Sequence, residues 1–464
     1  VDGGTTLAAD RIEQSALDHV WLHATSWAEI ADRRGLRVFA RGDGARIYDI
    51  HGREYIDGMS GLWCVNAGHG RAEIADAMAA QEKQIAYVSA DTYTSIPAIQ
   101  LAETIADLLP GDMDRVFFCS GGSEAVESAI KIAKQVQFMR GFPKRYKIIA
   151  RRGSYHGSTY GAMSLSGFRA SERYFGPLMP GVFHVANPNT YRSQFPPLEG
   201  EADQIACANA VEQEILFQGP ETVAAVIGET ISSANGIHIP ATAYWRRLRD
   251  ICDKHGVLLI CDEVINGWGR TGTWFAVEHY GIVPDMLTMA KGLSSGYAPI
   301  AAVAVRPSVF DGFRDEQQRE VELAHLLTFG GHAGACAAAL ANIEIFKRED
   351  LVRQSAEKGV VLKEFADRLL SHPSVGDVRG GRGLICGVEL VKDKVNKLNF
   401  DGAPDYGQRV SRLLADRGLI TRVDRIIYLA PPFVITHDEL ERMIVIIDDA
   451  LTQAEDEFAG QIVS

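Results

Sequence analysis

From about residue 70 onward, short apolar runs alternate with stretches of helical periodicity, and this alternation restricts the fold more than any other feature of the chain. The runs are Arg115 to Cys119, Lys147 to Ala150, Val223 to Gly228, Val257 to Cys261, Leu287 to Ala290 and Ile300 to Val305. Strands separated by helices imply an α/β architecture, a mostly parallel sheet with helices on both faces. Ligands of such sheets sit at the carboxyl ends of the strands. Before the alternating region, Val38 to Gly44 and Ala45 to Ile50 read as two strands joined by a Gly-Asp-Gly turn. Beyond about residue 335 come helices, then Val375 to Leu390 with its glycine pairs, then a last helix opened by the capping box Thr436-His437-Asp438-Glu439. Neither end segment carries enough apolar surface to form a lobe alone. The expected organisation is therefore a large domain over 70–335 and a small α+β domain made of 1–69 and 336–464.

With 464 residues and 46% hydrophobic content the chain can bury large cores. The 47 basic and 60 acidic residues leave a net charge of −13, which argues against nucleic acid or an anionic membrane as partner. Seven cysteines form no CxxC pair, are odd in number and sit largely in apolar stretches, as expected of reduced thiols in a cytoplasmic protein. No signal-peptide pattern stands at the amino terminus, and no apolar run approaches the roughly 18 residues of a membrane span. The histidines lack metal-ligand spacing such as HExxH, so no metal site is expected.

Two ionisable residues stand at the ends of strand-like runs. Lys291 follows Met286 to Ala290 in a turn bounded by glycine and serine, and Asp262 follows Val257 to Cys261. On one ligand such a pair suits pyridoxal phosphate, the lysine amine forming a Schiff base and the aspartate holding the ring nitrogen protonated. Each residue alone also reads as a surface lysine or a helix-capping aspartate. A third element supports the pair: the strand-like Val116 to Cys119 runs into Ser120-Gly121-Gly122-Ser123-Glu124, after which Ala125, Val126, Ala129, Ile130, Ala133 and Val136 recur at helical spacing. Free N–H groups at a helix start, glycines and the Ser123 hydroxyl suit a phosphate, although plain N-capping by Ser123 fits the same letters.

Together with Gly61 to Gly70, Gly153 to Thr159, Ala225 to Glu229, Cys261 to Ile265, Gly267 to Gly272, Thr328 to His332 and Ala430-Pro431-Pro432, these segments resemble the class III aminotransferases, over nearly the whole chain. These are fold-type I pyridoxal phosphate enzymes, and the nearest likeness is to ω-transaminases acting on amines or ω-amino acids with pyruvate. The resemblance implies Lys291 as Schiff-base and proton-transfer residue, Asp262 at the pyridinium nitrogen, Tyr155 and Val264 on the two ring faces, and Gly122 and Ser123 at the phosphate. It also implies Thr328 reaching the phosphate from the partner of a homodimer, or of a tetramer built from it. Trp63 would wall the substrate pocket, Glu229 would lie near the phenolic oxygen or the mobile arginine, and Arg422 would grip the keto-acid carboxylate and swing aside for an apolar amine.

The chain also departs from the pattern. The spacer from Arg422 to Ala430 is one residue short, which makes Arg425 a rival. Thr230, Ser232, Ser233, Ala234 and Asn235 stand where the family commonly has proline, glutamine and a glycine-rich turn; Leu326 and Leu327 replace Gly-Phe, Ala333 a proline and Gly121 a serine. Gly267-Trp268-Gly269-Arg270-Thr271-Gly272 matches GxGxxG, so an NAD(P)-dependent oxidoreductase is the alternative from another class, disfavoured because no helix and no suitably spaced acid follow. On the same fold, a 2-oxoglutarate-dependent aminotransferase, a decarboxylase or an aminomutase are the alternatives.

Overall fold

The chain's first three strands, β1 (Phe39–Asp43), β2 (Arg46–Asp49) and β3 (Glu54–Asp57), form the expected antiparallel hairpin plus a third strand. Seven strands follow: β4 (Arg115–Cys119), β5 (Lys147–Arg151), β6 (Val182–Val185), β7 (Val223–Glu229), β8 (Leu258–Asp262), β9 (Met286–Met289) and β10 (Ala301–Val305). They make one sheet in the order β4-β10-β9-β8-β7-β5-β6. Pairing is parallel from β6 through β9, and β10 alone runs against its neighbours β4 and β9. The computed structural model describes residues 3–27, 30, 36–168, 173–314, 322–400 and 406–463.

Six of the seven strands coincide with the apolar runs of the sequence. The seventh, β6, lies at the sheet edge, where Val182, Phe183 and His184 are only half buried, so it lacks the continuous apolar signal of a strand covered on both faces. Alternate residues of β8 feed two cores: Leu259 and Cys261 face one, Leu258 and Ile260 the other. The second core lies against the helix Gly122–Met139, whose Ala125, Val126, Ala129, Ile130, Ala133 and Val136 are buried as the spacing requires. By the same alternation Asp262, two residues beyond Ile260, turns toward the face which that helix covers.

The remaining strands are β11 (Val375–Gly381), β12 (Gly383–Leu390), β13 (Leu419–Ile420) and β14 (Ile426–Leu429). β11, β12 and β14 form an antiparallel sheet, whereas β13 pairs in parallel with β3, Leu419 opposite Ile56 and Ile420 opposite Asp57, so both ends of the chain share one sheet. The last helix, His437–Glu457, has the expected capping box: Thr436 N donates to Glu439 Oε2 at 2.8 Å and Glu439 N to Thr436 Oγ1 at 3.2 Å. Among the described residues no helix is long and apolar enough to cross a membrane.

The GxGxxG segment after β8 is bonded to segments from both ends of the chain. Buried Arg270 donates to the Leu384 and Pro431 carbonyls at 2.7 and 2.9 Å and to Ser60 Oγ at 3.0 Å. The segment leads into a short 3-10 turn, Ala276–Tyr280, and the strand-turn-helix geometry that a dinucleotide needs is absent there.

Candidate active site

Three neighbouring strands deliver polar side chains in register. Glu229 at the end of β7 lies opposite Asp262 at the end of β8, which lies opposite Thr288 in β9. Asp262 is 4% exposed and fully engaged: His156 Nδ1 donates to Oδ2 at 2.7 Å, and Val264 N and Thr288 Oγ1 donate to Oδ1 at 3.0 Å each. An ionised carboxylate only accepts, so the Nδ1 of His156 carries the hydrogen. The other ring nitrogen, Nε2, is buried with no partner among the described residues. Glu229 accepts from Tyr155 N at 3.1 Å and from Ser233 N at 3.0 Å. Burial raises its pKa, with His156 and Arg151 pulling the other way.

The helix start expected to hold a phosphate lines the same cavity as Glu229 and Asp262. The helix Gly122–Met139 starts from Gly121, and Ser120 N is already bonded to Glu124 Oε2 at 2.8 Å. Ser123 Oγ accepts from Ser158 N at 3.0 Å, tying the turn after Tyr155 to the helix start. One turn further on, Glu127 Oε1 accepts from Thr159 Oγ1, Gly161 N and Ala162 N at 2.6, 2.8 and 3.1 Å. A Cβ on Gly122 would lie 2.8 Å from Val264 Cγ1, while one on Gly121 would meet nothing within 4 Å. Glycine at 122 thus lets Val264 close over the helix start.

Lys291 follows β9 with φ +48°, a left-handed conformation that costs a non-glycine residue roughly 1–2 kcal/mol. Its amine makes no hydrogen bond among the described residues, and burial lowers its pKa, against the pull of Cys64, Asp262 and Glu229. A larger uncharged fraction near neutral pH is what a nucleophilic amine needs. Between these elements lies a cavity of about 160 Å³. Lys291, Asp262, Glu229, Tyr155, Val264, Gly122 and Ser123 all line it.

Three of the expected residues do not. Thr328 is exposed and away from the cavity within one chain. Trp63 is buried behind it, with Lys291 Nζ 5.7 Å from its ring centre, and its neighbour Leu62 lines the space instead. Arg422 is about half exposed, 3.7 Å from Asp424, and lies over the ring of Tyr428 at 5.8 Å. The rival Arg425 is engaged elsewhere, donating to Asn235 Oδ1 at 2.5 Å.

Sequence reasoning missed His156, Thr288, Ile265 and Asn266 as parts of this site. His156 and Thr288 hold the Asp262 carboxylate, and Ile265 and Asn266 line the cavity. Period-two alternation could have found Thr288, as it stands three residues before Lys291 on the Asp262 face; His156 is 106 residues from Asp262, and no local pattern joins the two.

The family model described as "Aminotransferase class-III" matches residues 30–451. An uncharacterized aminotransferase of Bacillus subtilis is 40% identical over 95% of this chain and 96% of its own length. A taurine–pyruvate aminotransferase of Bilophila wadsworthia is 36% identical over 97% of this chain and 99% of its own. Among solved structures, an (S)-enantioselective omega-transaminase from Thermomicrobium roseum superposes with a TM-score of 0.92 at 37% identity, covering 96% of this chain and 99% of that one.

Proposed function

The chain belongs to the class III aminotransferases, and from that membership we propose that it moves an amino group from a primary amine or ω-amino acid to pyruvate, giving alanine, with pyridoxal phosphate as cofactor. The observation that carries this reading is the meeting of Lys291, Asp262 and the start of the helix Gly122–Met139 around one cavity. The residues fit the group: an amine without a hydrogen bond among the described residues, a buried carboxylate at the next strand end, and helix-start amides with the Ser123 hydroxyl for a phosphate. When bound, pyridoxal phosphate supplies an aldehyde that condenses with amines and a ring that takes up the electron pair of a broken C–H bond.

The protein's own groups do the rest. Asp262, held in one rotamer by three donors, keeps a proton on the pyridine nitrogen. Tyr155 and Val264 confine the ring between them, and Gly122 and Ser123 bind the phosphate. Lys291 Nζ, whose pKa burial lowers, takes the proton from the carbon that bears the donor's amine and later returns one to the carbonyl carbon of the keto acid. Glu229 holds the polar edge of the ring or meets Arg422 when it swings, and Arg422 binds the keto-acid carboxylate with two parallel N–H donors.

Thr328 completes the phosphate site of a partner subunit in a homodimer. Its exposure supports this, as do the exposed apolar side chains Ile96, Ile99, Leu326 and Phe329. The large domain spans 70–335 and the small domain 1–69 with 336–464, a division supported by the pairing of β3 with β13. A cytoplasmic location fits the seven unpaired thiols. The decisive experiment incubates the protein with pyridoxal phosphate, pyruvate and a panel of amines, β-alanine and taurine, and measures alanine. Turnover with 2-oxoglutarate and none with pyruvate would assign the other aminotransferase branch, and carbon dioxide release without alanine would assign a decarboxylase.

A further inference from the structure

Three ring contacts run from the Lys291 amine to the Arg422 guanidinium. Lys291 Nζ lies 5.7 Å from the centre of the Trp63 ring. The Trp63 and Tyr428 rings meet edge to face, 5.6 Å apart at 81°, and the guanidinium carbon of Arg422 lies 5.8 Å from the centre of the Tyr428 ring. Tyr428 therefore touches both the aromatic wall beside Lys291 and the arginine assigned above to the keto acid.

The phenol itself is firmly held. Tyr428 is 1% exposed and belongs to a small apolar cluster with Trp63, Ile231 and Ile265, of which Ile265 lines the cavity. Its hydroxyl donates to the Ala234 carbonyl at 2.9 Å, its N–H donates to the Arg422 carbonyl at 3.1 Å, and its own carbonyl accepts from the Thr421 hydroxyl. Arg422 is not so held: its nearest charged partner, Asp424, is 3.7 Å away, and half its side chain is exposed. Asn235, next to Ala234, meanwhile occupies Arg425. Adjacent residues thus meet both groups, the Ala234 carbonyl holding Tyr428 and the Asn235 side chain tying down Arg425.

A carboxylate in this place would compete with the substrate for the guanidinium donors. An aromatic face attracts the cation while leaving its N–H edge free for a bidentate partner. We propose that Tyr428 is a positioning residue for keto-acid recognition, its ring being the platform on which Arg422 stays while its N–H edge meets the substrate carboxylate, and its hydroxyl, anchored on Ala234, setting that ring against Trp63. The proposal builds on Arg422 as the carboxylate-binding residue.

The test uses the pyridoxal phosphate-loaded enzyme and reads KM and kcat separately for pyruvate and for a neutral amine, together with the calorimetric Kd of propionate, a carboxylate that cannot react. Tyr428→Leu should raise the pyruvate KM and the propionate Kd by about three- to tenfold, since a cation–π contact and its geometry are lost, while the amine KM and kcat move less than about twofold. Tyr428→Phe, which keeps the ring but loses its Ala234 anchor, should give a pyruvate KM between those of wild type and Tyr428→Leu. If the leucine variant does not fold, Tyr428→Met, an adaptable side chain for the same core space, replaces it with the same expectation. Equal shifts in both KM values, or no shift in the propionate Kd, would overturn the proposal. Arg422→Ala separates the two levels: if it raises pyruvate KM and the Tyr428 variants do not, only the role of Tyr428 fails, and if it leaves pyruvate KM unchanged, the assignment of Arg422 fails and the proposal with it.

Discussion

The two sides of the cavity are built differently. On the Asp262 side, Glu229 and Asp262 stand at strand ends of the central sheet, are buried, and are bonded at 2.7 to 3.1 Å. On the other side Leu62 lines the cavity, and Trp63, Tyr428 and Arg422 follow from Lys291 through ring contacts; these residues come from opposite ends of the chain, and Leu62 and Arg422 are half exposed. A rigid wall suits a resident group whose electronics must not drift, and a looser wall suits two substrates of unlike polarity that use the space in turn. Substitutions on the first side should therefore stop chemistry, and those on the second should redistribute affinity.

The largest expected effect is that of Lys291→Ala, which removes both nucleophile and proton carrier and should lower alanine formation by at least about 10³-fold; a rate within tenfold of wild type would take the chemistry away from β9. Asp262→Asn keeps the shape but not the charge, and should cost on the order of 10²-fold or more in kcat. Its pyruvate and amine KM values should move together, unlike those of any variant on the opposite wall. Arg422→Ala should raise the pyruvate KM about tenfold or more, the loss of a charge-assisted pair worth roughly 1.5–3 kcal/mol, with little change for a neutral amine. Arg425→Ala, losing only the Asn235 contact, should change pyruvate KM less than about twofold.

The smallest effect sharpens the packing claim. Gly122→Ala places a methyl 2.8 Å from Val264 Cγ1, whereas Gly121→Ala finds open space. Urea unfolding should show a loss of about 1–3 kcal/mol for the first and within about 0.5 kcal/mol for the second. Equal losses would mean that Val264 yields and the helix start is not tightly closed.

Much of the rigid wall was legible in the chain. The apolar runs ending at Asp262 and before Lys291, and the glycine turn before Ala125, are local patterns, and local periodicity marks where strands stop and helices start. The antiparallel β10 and the edge strand β6 were not legible as such, since an apolar run carries no direction and a half-buried edge carries no run. His156 escaped for another reason: it reaches Asp262 across the sheet, and nothing near it in sequence distinguishes a carboxylate partner from solvent. The choice between Arg422 and Arg425 rested on counting residues to Ala430, and the spacing alone did not decide it. The two guanidinium groups differ in their partners, Asn235, almost two hundred residues earlier, for Arg425 and the Tyr428 ring for Arg422.

By itself, then, the order of residues determined the α/β alternation, the strand ends that carry Glu229 and Asp262, the turn that carries Lys291, and the glycine-lined helix start, because each depends on neighbours within a few positions. Only the tertiary structure decided which ends meet: β13 beside β3, Trp63 against Tyr428, His156 on Asp262 and Asn235 on Arg425. Those contacts follow from register and packing between segments far apart in the chain, where a side chain's partner is set by the closing of the whole fold rather than by its own surroundings in sequence.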